Sequence, residues 1–195
     1  MRFTRNGLLT ALLVVAALFV GSFVTSRLPQ PDKLLGETPF LRDGVVGQPV
    51  RLRTADVTVE RVQAAKRVEL HGQVAESSGV WLVFDVVWAA RSEPSQLAGT
   101  SPVVVAADGR RFGGTQAVIA TCGPAQPGLP VSCQLPFEVP GDALEGARLL
   151  IPADGDTRAN DDVADIDLGI DGDSAARLIA TDAHIALLTT AVVAR

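Results

Sequence analysis

Few residues of this chain have side chains suited to catalysis. Its 195 residues include two histidines, His71 and His184, no tyrosine, and lysine only at Lys33 and Lys66. Neither histidine lies in a motif that would supply a nucleophile, a metal ligand or a phosphate-binding loop. A lone histidine beside a glycine or on a strand is usually a surface residue. The sequence therefore predicts no enzyme and no cofactor. The alternative is a secreted hydrolase that brings a histidine, a nucleophile and an acid into one cleft.

Aspartates cluster towards the C-terminal end, where eight of the fifteen lie between residues 154 and 173. Calcium binds clustered carboxylates, but the EF-hand spacing is not matched, because Asp165 and Asp167 are followed by Gly169 and by no glutamate. Residues 165–170 instead alternate polar and apolar side chains, as on the solvent face of a strand. We predict a solvated acidic surface. A divalent-cation site, which would make this a calcium-dependent binding module, and a docking surface for a basic partner are the alternatives. The candidate cation ligands are Asp154, Asp156, Asp165, Asp167, Asp171 and Asp173.

Cys122 and Cys133 are the only cysteines. In an exported protein an even number of cysteines favours a disulfide over two buried free thiols. The ten residues between them include three prolines and two glycines, so we expect a loop with little structure of its own. A redox role would require a Cys-x-x-Cys pair, which is absent. The predicted bridge is therefore structural.

Asp85 interrupts the most apolar stretch of the body, residues 79–90, which contains both tryptophans. The β-branched and aromatic residues of this stretch predict a central strand. Trp81, Val83, Asp85 and Val87 would then share one face, and Leu82, Phe84, Val86 and Trp88 the other. An unpaired buried carboxylate costs several kcal/mol, so we expect Asp85 to pair with an arginine, either Arg61 or Arg110.

The elements that would position these residues begin with an uncharged stretch, residues 7–24, about 27 Å long as a helix. Arg2 and Arg5 precede it, and such a flank stays cytoplasmic. We predict a transmembrane anchor over 1–27 and an extracytoplasmic body at the cell membrane. The alternative is a signal peptide cleaved after residues 24–26, which would leave a secreted protein. No cysteine follows the stretch closely, so lipoprotein attachment is excluded.

Residues 28–48 contain Pro29, Pro31 and Pro39 and predict a linker. From residue 49 apolar and polar side chains alternate, and residues 49–195 predict an all-β, immunoglobulin-like sandwich of seven to nine short antiparallel strands. Expected strands lie at 50–52, 57–59, 79–90, 103–106, 110–112, 116–121, 133–139, 147–151 and 163–170. Asp142 could cap one helical turn over 141–146. Residues 175–180 and 184–194 fit either a final hairpin or a terminal helix.

Net charge limits the classes of partner. Without residues 1–27 the chain carries 14 basic and 22 acidic residues, a formal charge of −8. This excess of acid argues against nucleic-acid binding and against adhesion to anionic lipid beyond the N-terminal helix. The expected partner is an envelope protein or a cell-wall or lipid component, bound by a module with a binding or scaffolding role.

Several short patterns resemble the exported telokin-like immunoglobulin-fold domains of Gram-positive bacteria, a group related to small secreted immunogenic β-sandwich proteins of mycobacteria. The patterns are Val46–Val50 (VGQPV), 58–62 (TVERV), 82–86 (LVFDV) and 137–140 (FEVP). The resemblance covers residues 47–170 and implies an immunoglobulin-like sandwich at the cell surface without established catalytic residues. Residues 86–90 stay apolar where relatives often continue into a polar pair. Fifteen arginines against two lysines resemble the composition of actinobacterial proteins.

Overall fold

The computed structural model describes residues 5–27, 38–114, 118–153 and 161–193. The chain divides into two compact units, Met1–Thr38 and Pro39–Arg195. The first unit contains helix α1, Arg5–Arg27, and the second contains the β-structure. Asp154 and Asp156 of the acidic segment, and residues 28–37 of the expected linker, lie outside the described residues.

Helix α1 has 23 residues and begins and ends in arginine. Across the residues that the structure describes, no helix is both long enough and apolar enough to span a membrane. The expected helix is present, but the structure does not support the prediction that it is transmembrane.

The second unit is a β-sandwich. Its described residues form one sheet in the order β1-β11-β10-β6-β7, here sheet A, and one in the order β12-β3-β4-β9-β13, with β2 also paired to β3, here sheet B. Strands β5 and β8 form a small third sheet. The strands are β1 (Phe40–Val45), β2 (Pro49–Arg51), β3 (Ala55–Leu70), β4 (Gln73–Ala90), β5 (Ser95–Ala98), β6 (Val103–Val105), β7 (Arg111–Gly113), β8 (Thr121–Ala125), β9 (Val131–Val139), β10 (Arg148–Pro152), β11 (Asp162–Asp167), β12 (His184–Ala186) and β13 (Ala191–Val192).

Strands β3 and β4 form a long hairpin at the centre of sheet B. The turn consists of His71 and Gly72, with φ of 51° and 79°. Two-residue hairpin turns of this kind require positive φ at both positions, which explains a left-handed histidine beside a glycine. Register shifts after Val59 and Ala65 bend the hairpin, as β-bulges do.

The predicted division of β4 into two faces is confirmed. Leu82, Phe84, Val86 and Trp88 are buried in the main core between sheets A and B. Trp81 and Val83 are buried in a second cluster with Ala65, Val68, Val118 and Leu187. Strand β4 lies between β3 and β9, as expected for a central strand. Sheet B is therefore covered by apolar side chains on both sides at this strand.

A strand lies within the stretch that was predicted to be a linker. Residues 40–45 form β1, which pairs in parallel with β11 from Phe40↔Asp162 to Val45↔Asp167. The sequence Phe-Leu-Arg-Asp-Gly-Val does not alternate regularly, and its partner lies more than 120 positions away. The period-two pattern therefore gave no signal for this strand.

The strand predictions need three further corrections. Thirteen strands occur in the described residues, rather than seven to nine, and β12 pairs with β3 in parallel, as β1 does with β11. The strand expected over 116–121 begins only at Thr121, with 115–117 outside the described residues. Residues 141–143 form a 3₁₀ turn whose N-cap is Pro140, which has no capping side chain, and Asp142 within the turn binds Arg110.

The C-terminal segment is neither a single hairpin nor a single helix. Helix α2, Gly172–Ile179, begins at Asp171, whose carboxylate accepts a hydrogen bond from the Ser174 backbone N–H at 2.7 Å. Strands β12 and β13 then pair with opposite edges of sheet B, β3 and β9 respectively. Residues 187–190 cross between these edges, and Leu187 is buried beside Trp81 and Val83. The segment closes the outer face of sheet B.

A glycine in β1 fixes the distance between the two sheets at one edge of the sandwich. A Cβ at Gly44 would collide with Val50 Cγ2 and with Ile166 Cδ1. We predict that Gly44→Ala lowers the free energy of unfolding by about 1–3 kcal/mol, because overpacking forces the side chains apart. Urea denaturation followed by tryptophan fluorescence measures the change.

Gly113→Ala in β7 is the matched control. The nearest atom to a Cβ at Gly113 is Val103 Cγ1, at an ordinary 3.8 Å. We expect a change below about 1 kcal/mol for this variant. Equal effects of the two substitutions would contradict the assigned packing at Gly44.

Candidate functional site

An open groove of about 1010 Å³ lies at one edge of the sandwich. It lies where β1 of sheet A and β2 of sheet B meet, and we call it the edge groove. Phe40 is 61% exposed there, and Leu41 is 52% exposed. The lining residues are Phe40, Leu41, Arg42, Asp43, Pro49, Val50, Arg51, Leu52, Arg53, Arg91, Asp161 and Asp162.

Strand geometry places Phe40 and Arg42 on the inner face of β1. Because a Cβ at Gly44 would point at Val50 and Ile166, Gly44 faces the interior. Side chains alternate along a strand, so Phe40 and Arg42 share that direction. Asp43 points the other way, where it lies 3.7 Å from Arg148 on the outer face of sheet A. The edge groove therefore has an aromatic ring and a guanidinium on one wall.

Two ion pairs line the groove. Arg42 donates to Asp162 Oδ1 from Nε at 3.1 Å and from Nη2 at 2.9 Å. Arg53 donates to Asp161 in a bidentate manner, with Nε 2.9 Å from Oδ1. Forked arginine–carboxylate pairs are geometrically specific as well as strong. The first pair holds the start of β11 against β1, and the second holds the residue before β11 against Arg53, two residues after β2.

Asp161 is the most buried charged residue of this region, with 8% of its surface exposed. Its Oδ1 also accepts a hydrogen bond from the Asp162 backbone N–H at 2.8 Å. The Arg53 guanidinium holds the pKa of the Asp161 carboxyl below its usual value, and the Asp162 N–H acts in the same direction, against the opposing effect of burial. The charged form of Asp161 is therefore stabilised in the folded protein.

Arg51 and Arg91 form looser contacts with one carboxylate. Asp56 Oδ1 lies 3.8 Å from Arg51 Nε and 4.0 Å from Arg91 Nη1. Among the described residues this buried oxygen has no hydrogen-bond partner. Arg91 also donates to the Leu52 carbonyl at 3.4 Å. Each arginine of the groove thus has a carboxylate within 4 Å.

The expected partner of Asp85 is confirmed as Arg61, with Arg61 Nε 2.6 Å from Oδ2. Arg110, the alternative, pairs instead with Asp108 and Asp142. Gln134 Nε2 donates to Asp85 Oδ1 at 2.7 Å, and Gln134 Oε1 accepts from the Leu188 backbone N–H at 2.8 Å. A pocket of about 420 Å³ lies beside these groups. Asp85 thus accepts hydrogen bonds on both of its oxygens. It fixes Gln134, which in turn holds the backbone of Leu188 in the C-terminal segment.

The predicted disulfide is present between Cys122 and Cys133, whose Cα atoms are 5.3 Å apart. It joins β8 of the small sheet to β9 of sheet B. The enclosed residues are more ordered than predicted, because Gln126 and Leu129 form a bridge that closes a hairpin. A bridge over a loop of this length contributes about 3 kcal/mol on chain-entropy grounds. That its role is structural stays a prediction.

The acidic segment is not uniformly solvated, which corrects the prediction. Asp161 and Asp162 are paired as above, and Asp165 accepts from Arg148 Nε at 2.6 Å. Arg42 and Arg53 are distant in sequence, and Arg148 lies on the neighbouring strand β10. Counting only the residues of the acidic segment therefore overstated its unpaired negative charge. Asp167 and Asp173 are exposed, Asp167 accepts from the Gly169 N–H, and Asp171 caps α2. Among the described residues, no group of three histidine, cysteine, aspartate or glutamate side chains could hold a metal.

The histidines lie away from the edge groove. His71 is exposed in the β3–β4 turn. His184 begins β12, and its Nε2 lies 3.3 Å from Glu69 Oε2. Phe40, Arg42 and Arg53 were not predicted as site residues, because residues 28–48 were interpreted as a linker and isolated arginines usually face solvent. In the sequence, only the adjacent charged residues Arg42 and Asp43 indicated a polar segment here.

Asp161 should make stability depend on pH. A carboxyl whose folded pKa is depressed stabilises the protein above its unfolded pKa of about 3.9, and this contribution is lost as pH falls through the folded pKa. We predict that Asp161→Asn costs about 1–2 kcal/mol at pH 7 and flattens the loss of stability below about pH 4. Urea denaturation from pH 2.5 to 7, that is from roughly 1.5 units below the ordinary aspartate pKa to neutrality, measures both effects.

Asp173→Asn, at an exposed position in the first turn of α2, serves as the control. We expect it to leave the pH profile unchanged within about 0.5 kcal/mol. If Asp161→Asn behaves like this control, the Arg53 pair does not stabilise the fold.

Comparison with known proteins adds no family. The chain matches no family model and no curated protein. Among solved structures it is similar to the yjhA protein from Bacillus subtilis, with a TM-score of 0.43, 13% identity, and coverage of 64% of this chain and 99% of the other. It is also similar to an uncharacterized β-sandwich protein from Clostridium difficile 630, with a TM-score of 0.42, 14% identity and coverage of 66% and 96%. The β-sandwich architecture of this chain follows from its own two main sheets.

Proposed function

We propose that this protein is an exported β-sandwich module of the cell envelope that binds through the edge groove. The observation that carries the proposal is the groove itself, where an exposed aromatic ring stands among arginine–aspartate pairs. Ligand sites in proteins are typically concave, with apolar surface and a few placed polar groups. Outside the groove, the polar cluster at Asp85 holds the C-terminal segment, and Asp171 caps α2.

Two features support an exported location. The N-terminal segment has eighteen consecutive uncharged residues after two arginines, and we propose that it directs export. The Cys122–Cys133 bond belongs to an oxidising compartment, since cytosolic thiols are kept reduced. The body then works on the outer side of the cell membrane, or is secreted where the N-terminal segment is cleaved.

The proposed role is binding or scaffolding without catalysis. Neither His71 nor His184 lines the edge groove, and the carboxylates of the groove are engaged with arginines. The proposed partners are an envelope protein or a cell-wall or lipid component. Membership of the telokin-like immunoglobulin group is part of the same proposal, and it draws on the short patterns within residues 47–170.

Export can be tested through the thiols and through protease access. We predict that the full chain in unreduced cells has no alkylatable cysteine, and that external protease digests its body once the wall is removed. The mass of the mature N-terminus distinguishes a retained segment from a cleaved one. Leu13→Arg with Phe19→Arg is the control, because each charge costs about 2.5–3.5 kcal/mol in a membrane-inserting segment.

The control variant should remain inside the cell with both thiols free. If the unaltered chain shows free thiols and resists external protease, the exported location is wrong.

Binding through the groove can be tested in intact cells with a photo-crosslinking phenylalanine analogue. We predict a covalent adduct when the analogue replaces Phe40, since its ring stands in the groove. The same analogue at Val74, which is 55% exposed at the start of β4 and outside the groove, should give none. Gel mobility and mass spectrometry measure the adduct.

Identical products at positions 40 and 74 would show only random collision. Such a result, or no adduct at position 40, would overturn the groove as the binding site.

A further inference from the structure

We propose that the edge groove binds an uncharged glycan. This inference rests on the proposed function and specifies its ligand. Three observations carry it, namely the pairing of Arg42 and Arg53 with aspartates, a donor and an acceptor held side by side, and an exposed aromatic ring.

Two of the groove's four arginines are paired one to one with aspartates, Arg42 with Asp162 and Arg53 with Asp161. The other two, Arg51 and Arg91, share Asp56 at 3.8 and 4.0 Å. At the Arg42 and Arg53 pairs an acidic ligand would have to displace the aspartates, and a basic ligand would have to displace the arginines. Breaking a partly buried pair leaves one charge uncompensated, which is costly. A ligand without charge binds to the pairs as they stand.

The Arg42–Asp162 pair presents both kinds of hydrogen-bonding group. Arg42 uses Nε and Nη2 on Asp162, and its side chain is 53% exposed. Both hydrogen bonds end on Oδ1, and among the described residues none reaches Oδ2. Guanidinium has five donors, so N–H groups of Arg42 stay available beside a carboxylate oxygen. Neighbouring hydroxyl groups of a sugar ring each donate and accept, which matches such a donor–acceptor pair.

Phe40 supplies the apolar part of the site. Phe40 is 61% exposed. It lies on the same face of β1 as Arg42 and is the neighbour of Arg42 on that face. The electron-rich face of an aromatic ring attracts the positively polarised edges of a partner group. The C–H face of a pyranose ring has this character, while its hydroxyl groups project outward towards Arg42 and Asp162. The open shape of the groove suits a chain of sugars that passes through it.

A peptide that binds by strand addition would use a different surface of the protein. Its hydrogen bonds would go to the outer edge of β1, and the Arg42–Asp162 pair would not be needed. An acidic polymer would depend on unpaired cations, and its affinity would fall steeply with salt. These two ligands therefore give different results in the same experiment.

The test uses the full chain in detergent and a panel of neutral oligosaccharides of glucose, mannose, galactose and N-acetylglucosamine. A galacturonate oligomer and a polyglutamate peptide serve as acidic comparisons. We expect calorimetry to detect at least one neutral oligosaccharide, with an affinity that changes less than twofold, that is by under about 0.4 kcal/mol, between 50 and 500 mM salt. Phe40→Ala and Arg42→Lys should each weaken it roughly tenfold.

Arg42→Lys keeps the charge but removes the fork, so it separates hydrogen-bond geometry from charge. Val74→Ala and Arg177→Lys are matched controls at exposed positions outside the groove, and they should leave binding unchanged. Thermal melts check that every variant is folded.

The inference is overturned if no neutral oligosaccharide binds, if Phe40→Ala and Arg42→Lys bind like the controls, or if the acidic ligands bind more tightly with a steep salt dependence. A specific crosslink at position 40 combined with any of these results would keep the groove as the binding site and remove the glycan as its ligand.

Discussion

The fold depends on the burial of β4 on both of its faces. Phe84 and Trp88 face the core between the sheets, and Trp81 and Val83 face a second cluster outside it. A strand with apolar side chains on both faces has to be covered twice. Sheet A covers the inner face, and residues 187–190 of the C-terminal segment cover the outer one, with Leu187 buried in the second cluster. Asp85 is tolerated on the outer face because Arg61 and Gln134 saturate it, and Gln134 also holds the backbone of Leu188.

The edge groove lies where the first two strands join different sheets. Strand β1, which precedes the rest of the β-structure, joins sheet A beside β11, while β2 joins sheet B beside β3. The two sheets are close at Gly44, where no side chain would fit. Near Phe40 they are spanned by arginines and aspartates instead of apolar side chains. Polar residues can occupy this edge because it is open to water, where ion pairs keep much of their hydration.

The sequence was sufficient for the parts that depend on local pattern. Alternation predicted most strands of the sandwich and both faces of β4, and the strands expected over 103–106 and 110–112 correspond to the paired strands β6 and β7. The disulfide followed from the count of cysteines and the expected compartment. Asp85 followed from the cost of a buried charge, since Arg61 is close in sequence on the neighbouring strand. In each case the determining interaction lies within one strand or between sequential strands.

The rest of the fold depends on contacts that no local pattern records. Strand β1 exists because of a parallel pairing with β11, and β12 because of a parallel pairing with β3. The acidic segment illustrates the same limit, because Arg42 and Arg53 reach it from positions distant in sequence, and Arg148 reaches it from the antiparallel strand β10. A run of aspartates looks uncompensated when only its neighbours are counted. In the folded chain three of these carboxylates pair with arginines, and the two pairs that line the groove hold hydrogen-bond donors and acceptors side by side.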